Sequence, residues 1–129
     1  MENKKPRRLG HQNLNVWKKS MELAAAVGEL TQGRRWSNNR ALRDQIQRSA
    51  ISVPSNIAEG EDQSTNRASI KFYFIARGSL SEVRSQLALA NLQGLLEKEQ
   101  KSRLEDLCET VGKLIAGVLR VRREREEKG

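Results

Sequence analysis

The chain has 129 residues, 31% of them charged and only 4% aromatic, with a formal net charge of +8 and a pI near 10.2. That length suits one domain able to bury a core, and few aromatics with abundant Leu, Ala, Glu, Arg and Gln favour helices over sheets. No apolar run reaches the roughly 18 residues a membrane span requires, and the basic start MENKKPRRLG lacks a following apolar signal core, so a cytoplasmic protein without membrane association is expected.

Residues 1–12 are polar and read as a basic flexible tail, with Lys4, Lys5, Arg7 and Arg8 as candidate contacts to RNA or DNA. The bundle domain is expected over residues 13–123. Its first helix runs from about Asn13 to Thr31, where Leu14, Trp17, Met21, Ala24, Val27 and Leu30 recur at spacings of three and four. Val16, Leu23 and Ala26 widen that apolar face. Lys18 and Lys19 sit on the polar side, and Arg34 and Arg35 follow the C-terminus, where cations suit the helix dipole.

The second helix starts near Asn38 or Asn39, either of which could cap it. Its stripe, Leu42, Ile46, Ser49 or Ala50, Val53 and Ile57, continues in phase through Pro54. Proline there removes one backbone donor and crowds the carbonyl of Ala50, at a cost of roughly 3 kcal/mol. The unbroken phase predicts one helix kinked at Pro54 rather than two, stopped by Gly60. Residues 61–65 form a polar turn with Ser64 as the cap.

The third helix spans about Thr65 to Leu92 along Ile70, Tyr73, Phe74, Arg77, Leu80 and Leu87, and Gly94 ends the segment. Gly78 costs that helix about 1 kcal/mol against alanine, which predicts close approach of a facing helix. The fourth, from about Glu97 to Arg123, carries Leu104, Leu107, Val111, Leu114 or Ile115, Val118 and Val121. Cys108 falls on that stripe as a small buried apolar residue, and as the lone cysteine it excludes an internal disulfide framework. Residues 124–129 mix signs and are expected to fray. Together these elements predict an all-α, antiparallel up-down-up-down four-helix bundle.

Chemistry is hard to find. A carboxylate-bridged di-metal site needs two Glu-x-x-His pairs, and the one histidine is His11, in the tail. Hydrolase triads lack a histidine in the same way, Cys108 has no basic partner in a recognisable motif, and no phosphate-binding glycine loop occurs. The reading is therefore a non-enzyme without metal or cofactor. Gln45, Arg48, Asn56, Glu59, Arg77 and Glu82 stand near the apolar stripes, and buried charges are usually paired. They predict a buried hydrogen-bonded network between helices two and three, with a polar binding groove as the alternative.

Lys and Arg outnumber Asp and Glu by 24 to 16, and the excess falls in two clusters. One is Lys18, Lys19, Arg34 and Arg35; the other is Arg120, Arg122, Arg123 and Arg125. In an up-down bundle they lie mostly at opposite poles. These cations are the candidate nucleic-acid contacts, and such binding would be led by phosphates and sensitive to salt.

Three stretches, LNVWKKSMELA, LRDQIQRSAISVPSNIAEG and FYFIARGSLSEVRSQL, together resemble the bacterial four-helix-bundle family of 23S ribosomal RNA intervening-sequence proteins, over about Leu14 to Leu119. The motif residues are Ser52, Pro54, Asn56, Ile57, Ala58, Glu59, Gly60, Arg77, Gly78, Ser79 and Glu82. The resemblance implies an antiparallel bundle assembling as a ring, a homopentamer, and kinship with accessory proteins of diversity-generating retroelements, basic bundles that bind nucleic acid and a reverse transcriptase. It supplies no catalytic residue. The turn Gly60, Glu61, Asp62, Gln63 departs from the basic turn often found in the family, which weakens a nucleic-acid contact there. The expected role is a homo-oligomer that scaffolds RNA, DNA or a nucleoprotein complex through basic surfaces. The alternative is an adaptor ring for one protein, such as a reverse transcriptase, in which charge serves solubility.

Overall fold

The computed structural model describes residues 14–129. Lys4, Lys5, Arg7, Arg8 and His11 lie outside the described residues. Among those described, four α-helices follow one another: α1 (Asn15–Leu30), α2 (Arg40–Glu61), α3 (Asn66–Leu92) and α4 (Lys98–Lys128), with a single 3₁₀ segment, Arg34–Asn38, between α1 and α2. No strand occurs among the described residues. Each helix packs on two others, α1 on α2 and α4, and α3 on α2 and α4, so the four close a square with no contact across its diagonals.

The core is the set of stripes read from the sequence. Leu23 and Val27 of α1, Ile46, Val53 and Ile57 of α2, Tyr73 and Val83 of α3, and Val111 and Ile115 of α4 are fully buried. Cys108 joins them, and burial raises its thiol pKa, partly offset by the nearby Arg84. Cross-helix pairs run in opposite sequence directions. Ser49 meets Glu82 while Ser52 meets Ser79, and Asn66 meets Arg122 while a Cβ on Gly112 would touch Leu80.

α2 continues unbroken through Pro54, which is itself buried among core positions. A proline is tolerated there because burial of Val53 and Ile57 outweighs the lost hydrogen bond. Gly60 does not stop the helix, which runs to Glu61. The glycine that does end an element is Gly94, whose φ of 73° belongs to the left-handed region. Thr65, not Ser64, caps α3, its Oγ1 accepting from the Ala68 amide at 3.1 Å. Asn39 stands at the N-cap of α2, though its side chain makes no cap bond.

Connections are tied down by specific side chains. Thr31, at the end of α1, is buried; its hydroxyl donates to the Val27 carbonyl at 2.8 Å and accepts from Gln47 Nε2 of α2 at 2.7 Å. Trp36 plugs the α1–α2 connection at 1% exposure. α4 starts on a capping box, Glu97 with Gln100. It is helical to Lys128.

Candidate nucleic-acid interface

The ends of α2 and α4 and the start of α3 meet at one pole, and one side chain from each converges there. The Tyr73 hydroxyl donates to Glu61 Oε2 at 2.6 Å, and Arg122 Nη2 donates to the same oxygen at 2.7 Å. Arg122 also reaches Asn66 Oδ1 at 3.5 Å and lies over the Tyr73 ring, 5.9 Å from its centroid. The side chains of Arg122 and Glu61 are only 21% and 15% exposed. Burial, then the hydrogen bond and negative charge of Glu61, push the Tyr73 phenol pKa far above its ordinary value, with Arg122 pulling the other way. Gly60 makes this packing possible, because a Cβ there would stand 3.0 Å from Tyr73 Cδ2.

Arg122, expected among the candidate nucleic-acid contacts, is thus paired within the fold, and Glu61, in the turn that departs from a basic one, is its counter-charge.

Three further arginines at this pole line the α3–α4 seam. Phe74 is half-buried, and two guanidiniums are held against its ring: Arg77 of α3 at 4.7 Å from the centroid and Arg123 of α4 at 4.8 Å. Each such contact is worth about 0.5–1 kcal/mol at an exposed site, which biases a long side chain toward the ring without burying its charge. Arg120 lines the same groove, as do Glu124 and Glu127. Arg125 is exposed but lies off this seam, lining a groove with Leu14, Glu61 and Arg122. Among the described residues, the ion pairs present include none of Arg77, Arg120 or Arg123. No three His, Cys, Asp or Glu side chains converge as a metal site among the described residues.

The other candidates are dispersed. Lys18 and Lys19 stand near the start of α1, at the same pole as the end of α4, and Lys19 is paired with Glu22 at 3.3 Å. Arg34 and Arg35 lie at the far pole, where Arg35 bonds Glu97 at 2.6 Å and the Gly94 carbonyl at 3.3 Å. Local pairs take Lys19 and Arg35 from one cluster and Arg122 from the other; Lys18, Arg34 and Arg125 are in none of the ion pairs among the described residues but stand apart from the α3–α4 seam.

The motif residues form a different surface. Ser52 and Ser79 share a hydrogen bond of 2.8 Å across the α2–α3 seam, and Asn56 Nδ2 donates to the carbonyl and hydroxyl of Ser52 at 2.8 and 2.9 Å. Around this line Gln45, Arg48, Glu59, Arg77 and Glu82 are all exposed. The expected buried network of glutamates and arginines is absent; only Ser49 reaches Glu82, at 3.4 Å. The reason is phase. Buried Val53, Ile57 and Gly60 set the inner face of α2, and Glu59 lies two residues from Ile57, about 200° around a 3.6-residue turn. Gly78 likewise has open space where its Cβ would be, so no helix of the same chain approaches it.

This four-helix square can be set beside known proteins. The description "23S rRNA-intervening sequence protein" matches residues 12–117, most of the chain. The chain belongs to that family. No curated protein matches the chain. A solved structure described as a protein of unknown function from the S23 ribosomal protein family, from Bacteroides thetaiotaomicron VPI-5482, is similar to it with a TM-score of 0.75. The two are 23% identical over 81% of this chain and 95% of that one, a likeness of fold. In this intervening-sequence protein the motif face and the Phe74–Arg77 half of the arginine groove lie within the matched segment. Arg120, Arg122, Arg123 and Arg125 lie beyond its end.

No helix among the described residues is long and apolar enough to cross a membrane.

Proposed function

We propose that this intervening-sequence protein is a non-enzymatic, cytoplasmic homo-oligomer that scaffolds nucleic acid or a nucleoprotein complex through basic surface. The observation that carries the reading is the run of unpaired arginines on the α3–α4 seam, Arg77, Arg120 and Arg123, in a chain of net charge +8. Guanidiniums ordered by an aromatic ring and left without carboxylate contacts favour a polyanion.

Self-association is supported by the outer surface of α3. Ile75, Leu89 and Leu92 are exposed there at 50%, 44% and 83%, and Gly78 leaves a gap between them. Exposed apolar side chains, one of them beside a glycine, are suited to burial against another copy. A ring of five such copies would let weak phosphate contacts add by avidity.

The test is a titration with single- and double-stranded RNA and DNA at two salt concentrations, with particle mass read by light scattering. A multimer that binds at low salt and releases steeply at high salt supports the scaffold. A multimer that binds no nucleic acid at low salt removes it. A salt-insensitive association with one protein would then favour the adaptor class.

A further inference from the structure

The α3–α4 groove has an arrangement that simple solvation of charge does not require. Two guanidiniums lie within 5 Å of one ring centroid, so at most about 10 Å separates them, comparable to the Debye length of about 8 Å at physiological ionic strength. A third, Arg120, lines the same groove. Glu124 and Glu127 share it, yet neither comes within ion-pair distance of the three. Mutual repulsion is thus left in place where a carboxylate contact could have relieved it.

We propose that Arg77, Phe74 and Arg123, with Arg120 beside them, bind the backbone of a single-stranded nucleic acid. This rests on the nucleic-acid reading above and gives it a place on the molecule. Arg77 and Arg123 are exposed over Phe74, so a guanidinium stacked on the ring would keep its N–H edge and its other face available. The edge matches two phosphate oxygens, and the free face accepts an unpaired base by stacking. A duplex offers the phosphates but not the base faces. The groove, at about 280 Å³, is lined by side chains of both α3 and α4. The ring has already restricted the arginine rotamers, so less side-chain entropy is lost on binding.

The experiment uses the full chain and labelled oligo-uridine, oligo-thymidine and a length-matched duplex, followed by fluorescence anisotropy across a salt series. The double variant Arg77→Gln/Arg123→Gln should weaken single-strand binding at least tenfold. It should also lower the slope of log affinity on log salt by about 1.4, at roughly 0.7 for each lost contact. Phe74→Leu keeps every charge, so it should weaken single-strand binding about threefold or more with the slope unchanged. Lys98→Gln/Lys101→Gln, at the opposite pole, should leave single-strand binding within twofold. Urea midpoints should show that all variants remain folded.

Wild-type binding that survives Arg77→Gln/Arg123→Gln within twofold overturns the site while leaving the scaffold reading intact. Absence of wild-type binding at low salt overturns both. Equal losses for duplex and single strand overturn the single-strand assignment, and competition by poly-glutamate as effective as by oligo-uridine overturns a nucleic-acid ligand.

Discussion

Gly60 lies so close to Tyr73 that a methyl group on its Cα would meet ring carbon Cδ2 at 3.0 Å and Cε2 at 3.1 Å, with the Ser69 carbonyl behind at 3.3 Å. The ring cannot swing aside cheaply, because its hydroxyl is fixed on Glu61 at 2.6 Å. Gly60→Ala gains about 1 kcal/mol of helix propensity but forces a displacement whose cost is about 1–3 kcal/mol. The expected result is a net loss of about 1 kcal/mol. Gly78→Ala meets nothing within 4 Å, so the single chain should gain up to about 1 kcal/mol. Urea unfolding of the two variants checks the pair; a stabilised Gly60→Ala would show that the ring yields.

Tyr73 is the sole tyrosine, so phenolate absorbance reports it alone. Its folded-state pKa is raised by burial and by Glu61, and the unfolded value is about 10. A raised folded pKa means that the native state holds the proton more tightly. The contribution to stability is therefore full below pH 10 and falls as pH rises above it, by about 1.4 kcal/mol per pH unit. The native absorbance should stay flat through pH 10 while the urea-unfolded chain titrates there. Tyr73→Phe should remove this part of the alkaline loss. A native phenol titrating near pH 10 would contradict the buried arrangement.

Two arginine–glutamate pairs of similar length should differ in strength. Arg122–Glu61 is 2.7 Å long with side chains 21% and 15% exposed, while Arg35–Glu97 is 2.6 Å long with side chains 52% and 59% exposed. Solvent screens the second and leaves it about 0–1 kcal/mol. The first also shares its carboxylate with Tyr73, so removal of Arg122 leaves a shielded charge short of a donor, and a loss of about 2 kcal/mol is expected. Double-mutant cycles with Arg122→Met/Glu61→Gln and Arg35→Met/Glu97→Gln measure both couplings. Equal couplings would place the polar cluster in water.

The helices were legible because their stripes are long and in phase. Leu104, Val111 and Ile115 locate α4 without any tertiary information, and Val53 with Ile57 carries α2 through Pro54. The Glu61–Tyr73–Arg122 cluster was not, since its members come from three helices and no local spacing connects them. One signal pointed toward it: a tyrosine on a buried stripe needs a partner for its hydroxyl. Gly60 reads from sequence as a helix stop and Gly78 as an interior glycine under a facing helix; only packing shows that the first touches a ring and the second faces open space. The same holds for Arg122 and Arg123. They are neighbours in sequence, yet about 100° of helix rotation turns one onto Glu61 and the other onto Phe74.

Glu59 and Ile75 test what the motif face does. Glu59 is exposed, so Glu59→Ala should shift the folding free energy of the single chain by no more than about 0.5 kcal/mol. A larger loss would return Glu59 to a buried network. Ile75, at 50% exposure beside Gly78, contributes little to the core of its own chain but would be buried if α3 packs on another copy. Ile75→Glu should therefore leave helix content unchanged while reducing the light-scattering mass toward that of one chain, because a carboxylate driven into an apolar contact loses its hydration without a partner. Lys98→Gln, at the opposite pole, should leave the mass as it was. A particle mass indifferent to Ile75→Glu would move the self-association surface to the α1–α2 groove, where Met21 and Ile51 are exposed at 44% and 59%.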